Sequence, residues 1–529
     1  MGDFGLAHPE LVIALTSAIG TDTSLVIDEI DKQLKDFSYT AHVIKISEKV
    51  LTPLLHSNQR QPPSIRANAL MNLGNKLRKE RNDSAILASA AISQIYNFRT
   101  KDQKNRGEAR QLPRQAFIIS TLKHPDEAVR LRETYGNIFF LVAVNESESS
   151  RLEHLNRQRN IGYKDAQELV KRDEGENNRF GQHTRSVFEQ ADIHLSLNKP
   201  GNDMDVREYL NTQITRMLNL LFGHPFITPT FDEYAMFIAY ASGLRSADLG
   251  RQVGAAIASP YGEIIATGAN DVPQYGGGQY WPNLYTFQDK DDGRDYKRTY
   301  HNSETNETIL GYDANKREHM RIVEEILDMF ETQENETRED VVQWKDTLRK
   351  RLLGSRIKYL TEYTRAVHAE MAAILACSRG GISLQGATLY CSTFPCHNCA
   401  KHIIHTGIQR VVYIEPYPKS KTLELYNDST TIVGEEQKVH FDEFVGVGPR
   451  RFFDLFSLHL SSGRRIIRKQ EDGGGAADGS AVRWKRMDSR LRFQATALSY
   501  IEKETVEVAK WVTGYQDPQN QKFEEEQVK

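Results

Sequence analysis

One histidine and two cysteines, His368, Cys396 and Cys399, constrain this chain more than any other feature. They sit in His368-Ala369-Glu370 and in Pro395-Cys396-His397-Asn398-Cys399, so a fold that uses them as one ligand set must bring two separate segments together. One imidazole and two thiolates suit a zinc ion and leave a fourth tetrahedral position open to water. A metal held in this way lowers the pKa of that water towards neutrality. Glu370 lies two residues past the histidine and is not itself a ligand. Its carboxylate suits general acid–base work on a reacting molecule.

The flanking residues predict the supports such a set needs. Ala366 to Leu375 is rich in helix formers and predicts a helix carrying His368 in its first turns. Ala387 to Ser392 alternates and carries β-formers, which predicts a strand. Pro395 stops that strand and begins a second helix, Cys396 to Thr406, closed by Gly407. Both cysteines then stand at a helix N-terminus, where the dipole favours thiolates. Two other readings stay open: C-x-x-C as a redox pair, and a structural zinc site with His397, His402 or His405 as fourth ligand. Cys377 and Cys391 read as small buried apolar residues.

An H-x-E element followed by P-C-x-x-C is a nucleobase deaminase signature, and these residues resemble the cytidine and deoxycytidylate deaminase superfamily. Arg245 to Ile257 looks like that family's first helix running into its first strand. Gly262 to Pro273 looks like its next hairpin and strand, ending in the family's asparagine, here Asn270. The resemblance implies that Asn270 contacts the nucleoside sugar; a turn-former before Asp271 and Pro273 is the plain alternative. Many deoxycytidylate deaminases carry a cysteine between Arg251 and Val253, where this chain has none.

The likeness extends further, to bacterial anti-phage deoxycytidine-nucleotide deaminases. It rests on Tyr390 to Ile404, Ile414 to Ser420 and Phe444 to Arg451. It implies deamination of dCTP to dUTP and of dCMP to dUMP with Zn2+, which drains the precursors of phage DNA. It also implies a homo-oligomer and a small inhibitory RNA as partners.

At 529 residues the chain is too long for one ordinary core, so two or three domains are expected. A formal charge of -3 gives no global pull towards nucleic acid. That disfavours the alternative, a deaminase editing RNA or single-stranded DNA, which needs a positive channel with stacking aromatics. Four cysteines make no disulfide framework, and thiolate ligation fits a reducing cytoplasm. No apolar run reaches the roughly 18 residues of a membrane span, and Met1 to Glu10 lacks the order of a signal peptide.

The expected fold class is α/β: a P-loop kinase-like parallel sheet, then a three-layer α/β/α cytidine deaminase-like domain with a long insertion. Leu11 to Leu15 predicts a buried strand, followed by a small-residue loop with Ser17 and Gly20 and then a helix. That is where a nucleotide phosphate would sit. No lysine follows Gly20 before Lys32, however, and a working loop needs one. Kinase chemistry, nucleotide sensing that gates the other domain, and an inert relic are the three readings. Ala116 to Ser120, Ile138 to Val144 and Ala191 to Leu197 predict further strands, with a helix over Asp126 to Tyr135. Arg151, Arg157 and Arg159 suit either a basic lid or a solvated helix face.

Leu221 to Thr230 carries two prolines and a glycine and marks a boundary. Expected domains are 1–225 (degenerate kinase-like), 231–460 (deaminase-like, insertion about 275–355) and 461–529 (flexible linker and helical tail). The insertion, with an acid-rich run from Asp289 to Asp295, reads as a substrate wall or an interaction surface. The acids suit a magnesium ion or plain solvation. The tail predicts an amphipathic helix over Ala495 to Val512.

Overall fold

The computed structural model describes residues 8–55, 61–102, 111–176, 178–199, 205–282, 293–302, 307–311, 313–330, 338–360, 362–416, 420–432, 437–470, 480–493 and 497–513. They form a mixed α/β structure on two six-stranded sheets. The chain divides into two units: Met1–Glu233 with Glu443–Lys529, and Tyr234–Asp442. Residues 289–292 of the acid-rich run, the glycine-rich stretch at 471–479, Tyr417 to Lys419 and the chain beyond 513 lie outside the described residues.

In the first unit the apolar run becomes β1 (Leu11–Ser17), buried at every position. A strand with parallel neighbours on both sides requires that. β2 (Thr40–Lys45), β3 (Gln115–Ser120), β4 (Phe139–Asn145) and β5 (Ile193–Ser196) join it in the order β5-β4-β1-β3-β2. All four pairings are parallel, with Ile13 opposite both Ile118 and Phe140. Parallel pairing demands crossovers. Among them are α1 (Thr23–Leu34), α2 (Ile86–Asp102) and α3 (Tyr163–Glu174). Gly446–Val447 returns to add an antiparallel edge to β5. The chain leaves β1 for β2 on one side and later crosses from β3 to β4 on the other, so the strand order reverses around β1.

The expected tail helix is Ala497–Thr513, and it lies against α2 within this unit. Polar groups help to fix it there. Arg99 of α2 reaches Glu504 at 2.9 Å and also bonds Glu10, all three being buried. Glu10 accepts in addition from the Leu112 amide and the Tyr500 hydroxyl, each at 2.7 Å. One guanidinium offsets one carboxylate, and Glu504 is the acceptor with fewer donors. Burial pushes its carboxyl up to about 7.

In the second unit β6 (Gly254–Ala258) and β7 (Ile264–Ala269) form an antiparallel hairpin, and β8 (Thr299–Asn302) with β9 (Glu307–Leu310) a separate one inside the insertion. The insertion also holds two helices, Ala314–Asp328 and Arg338–Gly354. Then come α4 (Ala369–Gly380), β10 (Thr388–Thr393), α5 (His397–His405), β11 (Arg410–Glu415), β12 (Thr430–Thr431) and β13 (Val439–Glu443). The sheet order is β12-β13-β11-β10-β6-β7. β10 runs parallel to β11 and antiparallel to β6. α4 buries Ala369, Ala373, Ile374 and Cys377 in the same core as Ala255, Ile257 and Leu389. Among the described residues no helix is long and apolar enough to cross a membrane.

Two outcomes are expected at the buried charges. Arg99→Ala leaves two carboxylates buried without their cation, so denaturant unfolding of the full chain should lose about 3–5 kcal/mol. The second concerns pH. A carboxyl whose folded pKa exceeds its unfolded one adds stability at low pH and loses it as pH rises through the folded value. The wild type should therefore lose stability relative to Glu504→Gln as pH rises from 4.5 through about 7. Paired melts across that window would show a flat difference if Glu504 held no proton.

Candidate functional site

His368 stands at the N-cap of α4 and Cys396 at the N-cap of α5, with Cys399 in the first turn of α5. The first helix thus begins three residues later than expected and the second one residue later, and both ligand segments become helix starts. Local pairing fixes them. Val367 exchanges backbone hydrogen bonds with Asp271 at 3.0 and 3.3 Å, which ties the approach to His368 to the end of β7. α4 then crosses β7 so closely that a Cβ on Gly268 would lie 2.1 Å from the Ala369 carbonyl oxygen. Only glycine permits that approach. At the other segment, the Pro395 carbonyl accepts from the hydroxyls of Ser420 and Thr422 at 2.8 and 3.3 Å.

The three donors converge. Nδ1 of His368 lies 3.4 Å from each cysteine sulfur, and the ligand atoms all fall within 4.8 Å of one another. No fourth His, Cys, Asp or Glu joins them among the described residues, and His397, His402 and His405 stay outside. That is the arrangement of a metal site with an open corner rather than a closed structural one. A hydrogen bond from Cys399 and the nearby His368 hold the Cys396 thiol far below its usual range. The adjoining Cys396 sulfur and burial push Cys399 up. The Cys396 bond raises His368. Glu370 is 4% exposed beside this cluster, and burial raises its carboxyl above the usual range.

His368, Glu370 and Cys396 form part of the wall of a cavity of about 250 Å³. Its opposite resources are charged. Arg251 pairs with Glu415 at 2.6 Å, and Glu415 also takes the Thr393 hydroxyl at 2.5 Å. Arg365 pairs with Asp295 and donates to the Gly293 carbonyl at 3.2 Å. Asp295, Asp313 and Asn315 all line the cavity, so the insertion contributes to its wall. Sequence reading missed Arg365 and Asp295 as a pair, although Arg365 precedes the histidine by three residues.

Asn270 also lines the cavity, but its amide is engaged by backbone. Oδ1 accepts from the Val253 amide at 2.6 Å and Nδ2 donates to the Arg251 carbonyl at 2.7 Å. It shapes the 251–253 turn that presents Arg251. Ser17 and Gly20 belong to the first unit. Ser17 ends β1, and Gly20 has φ +92° with a would-be Cβ 2.7 Å from the Arg151 carbonyl oxygen.

Residues 229–415 match the cytidine and deoxycytidylate deaminase zinc-binding region. Among individual relatives, the deoxycytidylate deaminase of Enterobacteria phage T4 is 49% identical over 55 residues, 10% of this chain and 28% of that protein. ComE operon protein 2 of Bacillus subtilis (strain 168) is 39% identical over 82 residues, 15% of this chain and 42% of that protein. The human deoxycytidylate deaminase is 24% identical over 182 residues, 34% of this chain and 63% of the human one. The chain thus spans less than two thirds of the length of each of these relatives. The dCMP deaminase of cyanophage S-TIM5 aligns in structure at a TM-score of 0.21 and 16% identity, over 41% of this chain and all of that one.

The donor set makes a direct expectation. Elemental analysis of the purified protein should find about one zinc per chain. Cys396→Ser should lose most of that metal while keeping its circular dichroism spectrum. Full zinc retention by the variant would place the metal elsewhere.

Proposed function

We propose that residues 234–442 form a hydrolytic deaminase domain acting on free deoxycytidine nucleotides, dCTP and dCMP, with zinc as cofactor. The observation that carries this reading is the convergence of His368, Cys396 and Cys399 beside buried Glu370, with His368, Glu370 and Cys396 lining one cavity. His368, Cys396 and Cys399 would hold the zinc, which when bound acts as a Lewis acid that eases proton loss from water. Glu370 takes one proton from the attacking water to the ring nitrogen, and then carries the second, from the new C4 hydroxyl, to the departing amine. The C4–N bond breaks, a C4–O bond forms, and ammonia and the uracil nucleotide leave. Val367–Asp271 pairing and the Gly268 contact keep Glu370 aligned with the ligands.

The cavity supports a free nucleotide over a polymer. About 250 Å³ is small for a ligand site, and the insertion lines part of it. Asp248, Asp295, Asp313 and Glu370 share it with Arg251 and Arg365, which is not the positive, aromatic track that binds single strands. On this reading the first unit is a degenerate kinase-like scaffold. The setting is the cytoplasm, and the role is depletion of deoxynucleotides during phage infection. Self-assembly and restraint by a small RNA are the partner relations to test.

Purified protein given dCTP or dCMP should release ammonia and form dUTP or dUMP. Glu370→Ala should lower kcat by at least about a thousandfold with zinc content unchanged. A fully active Glu370→Ala enzyme sinks the mechanism. Uracil appearing in cellular RNA or DNA, with nucleotide pools constant, would favour the polymer-editing alternative.

A further inference from the structure

The loop after β1 has the setting of an anion site: it leaves a parallel strand at the point where the strand order reverses and enters the N-terminus of α1. The Thr21 and Thr23 amides turn back onto the Ala18 and Thr21 carbonyls, and three further amides each meet a carboxylate of the chain. The Ile19 amide donates to Oδ2 of Asp173 at 2.8 Å. The Asp22 amide donates to Glu146 at 3.0 Å. The Leu25 amide, in the first turn of α1, donates to Asp22 at 3.3 Å.

Asp173 is the telling member. It is fully buried and lies in the last turn of α3, where the helix dipole disfavours a negative charge. Nothing in α3 itself calls for it. Across the gap it meets Lys123, whose ammonium lies 2.8 and 3.0 Å from its two oxygens and also donates to the Ser17 carbonyl at 2.8 Å. Lys123 follows β3, reached through Thr121 at φ +55°, a conformation that β-branched residues rarely adopt. A lysine thus reaches the end of β1 from the turn after the neighbouring strand. Arg151 closes the other side, donating to the Glu146 and Ile19 carbonyls at 3.2 and 3.3 Å. Arg151 is buried in this brace, while Arg157 is exposed and pairs with Glu153 at 2.5 Å.

We propose that the Ile19 amide and the Lys123 ammonium form an oxyanion site of phosphate class that the chain fills with its own Asp173 carboxylate. A phosphate or polyphosphate enters only when the carboxyl end of α3 withdraws. A site occupied from within shows an outside ligand an affinity reduced by the fraction of time it stands open. The first unit therefore takes no nucleotide phosphate in the structure described, and α3 acts as its latch.

The test uses the full chain and inorganic triphosphate as the probe, measured by titration calorimetry. Asp173→Asn and Asp173→Ala should bind it at least about tenfold more tightly than wild type, and adding Lys123→Ala to either should abolish the gain. Equal binding by wild type and both variants overturns the proposal, as does a folded variant with no gain. If neither variant folds, hydrogen exchange in the wild type decides. The Ile19 amide must exchange slowly, and triphosphate must not change its rate. Fast exchange, or protection that appears only with triphosphate, overturns it.

Discussion

Two helix starts must meet at one point for this chain to hold its cysteine–histidine cluster, and their meeting depends on how closely α4 lies on β7. The Gly268 contact sets that distance, because any side chain there would collide with the Ala369 backbone. The Val367–Asp271 bridge sets the angle at which the chain enters the helix. Parallel pairing of β10 with β11, and antiparallel pairing of β10 with β6, then bring Cys396 to the same place from the other side. A helix start is a good address for such ligands. Its free amides and positive dipole end favour thiolate, and its first residues are held by backbone rather than by flexible side chains.

The same economy governs the rest of the charged interior. Arg99 between Glu10 and Glu504, Lys123 against Asp173, and Arg251 against Glu415 each place a cation on a buried or half-buried carboxylate. Such pairs contribute little net stability, but losing one partner is costly because the other stays buried. They therefore act as position markers. Arg99 specifies where the C-terminal helix docks on α2, which the apolar stripe of that helix alone would leave free to slide.

What could be read from the sequence follows from the range of the interactions involved. His368, Glu370, Cys396 and Cys399 were legible because each is fixed by its own helix start, within a few residues. β1, β3 and β4 were legible because strands buried on both faces read as apolar runs. β2 was not, since it lies at a sheet edge and within it only Ile44 is buried. The tail helix was legible as a helix, yet its docking was not, because Glu504 meets Arg99 across 405 residues of chain. Asp173 and Lys123 escaped for the same reason: the Ile19–Asp173 bond spans 154 residues. Asn270 is a different case, since it lines the cavity. Family likeness singled out the residue, but its amide is engaged by the 251–253 turn rather than turned wholly to the cavity.

The two cavity arginines show what kind of binding such a wall can give. Arg251 and Arg365 are each held by a carboxylate, Glu415 and Asp295 respectively. A substrate phosphate meeting either guanidinium would share or replace an existing partner rather than bind a bare charge. Exchange of one anion for another returns little net energy, because the first pair must be loosened before the second forms. What it does return is geometry, since a guanidinium already fixed in place offers its remaining N–H groups in set directions. Asp295 comes from the insertion and Glu415 from the end of β11, so the two guanidinium groups are set by different parts of the unit. On the proposed reading, a ligand that satisfied both would need the correct span, so size and charge would be selected together rather than charge alone.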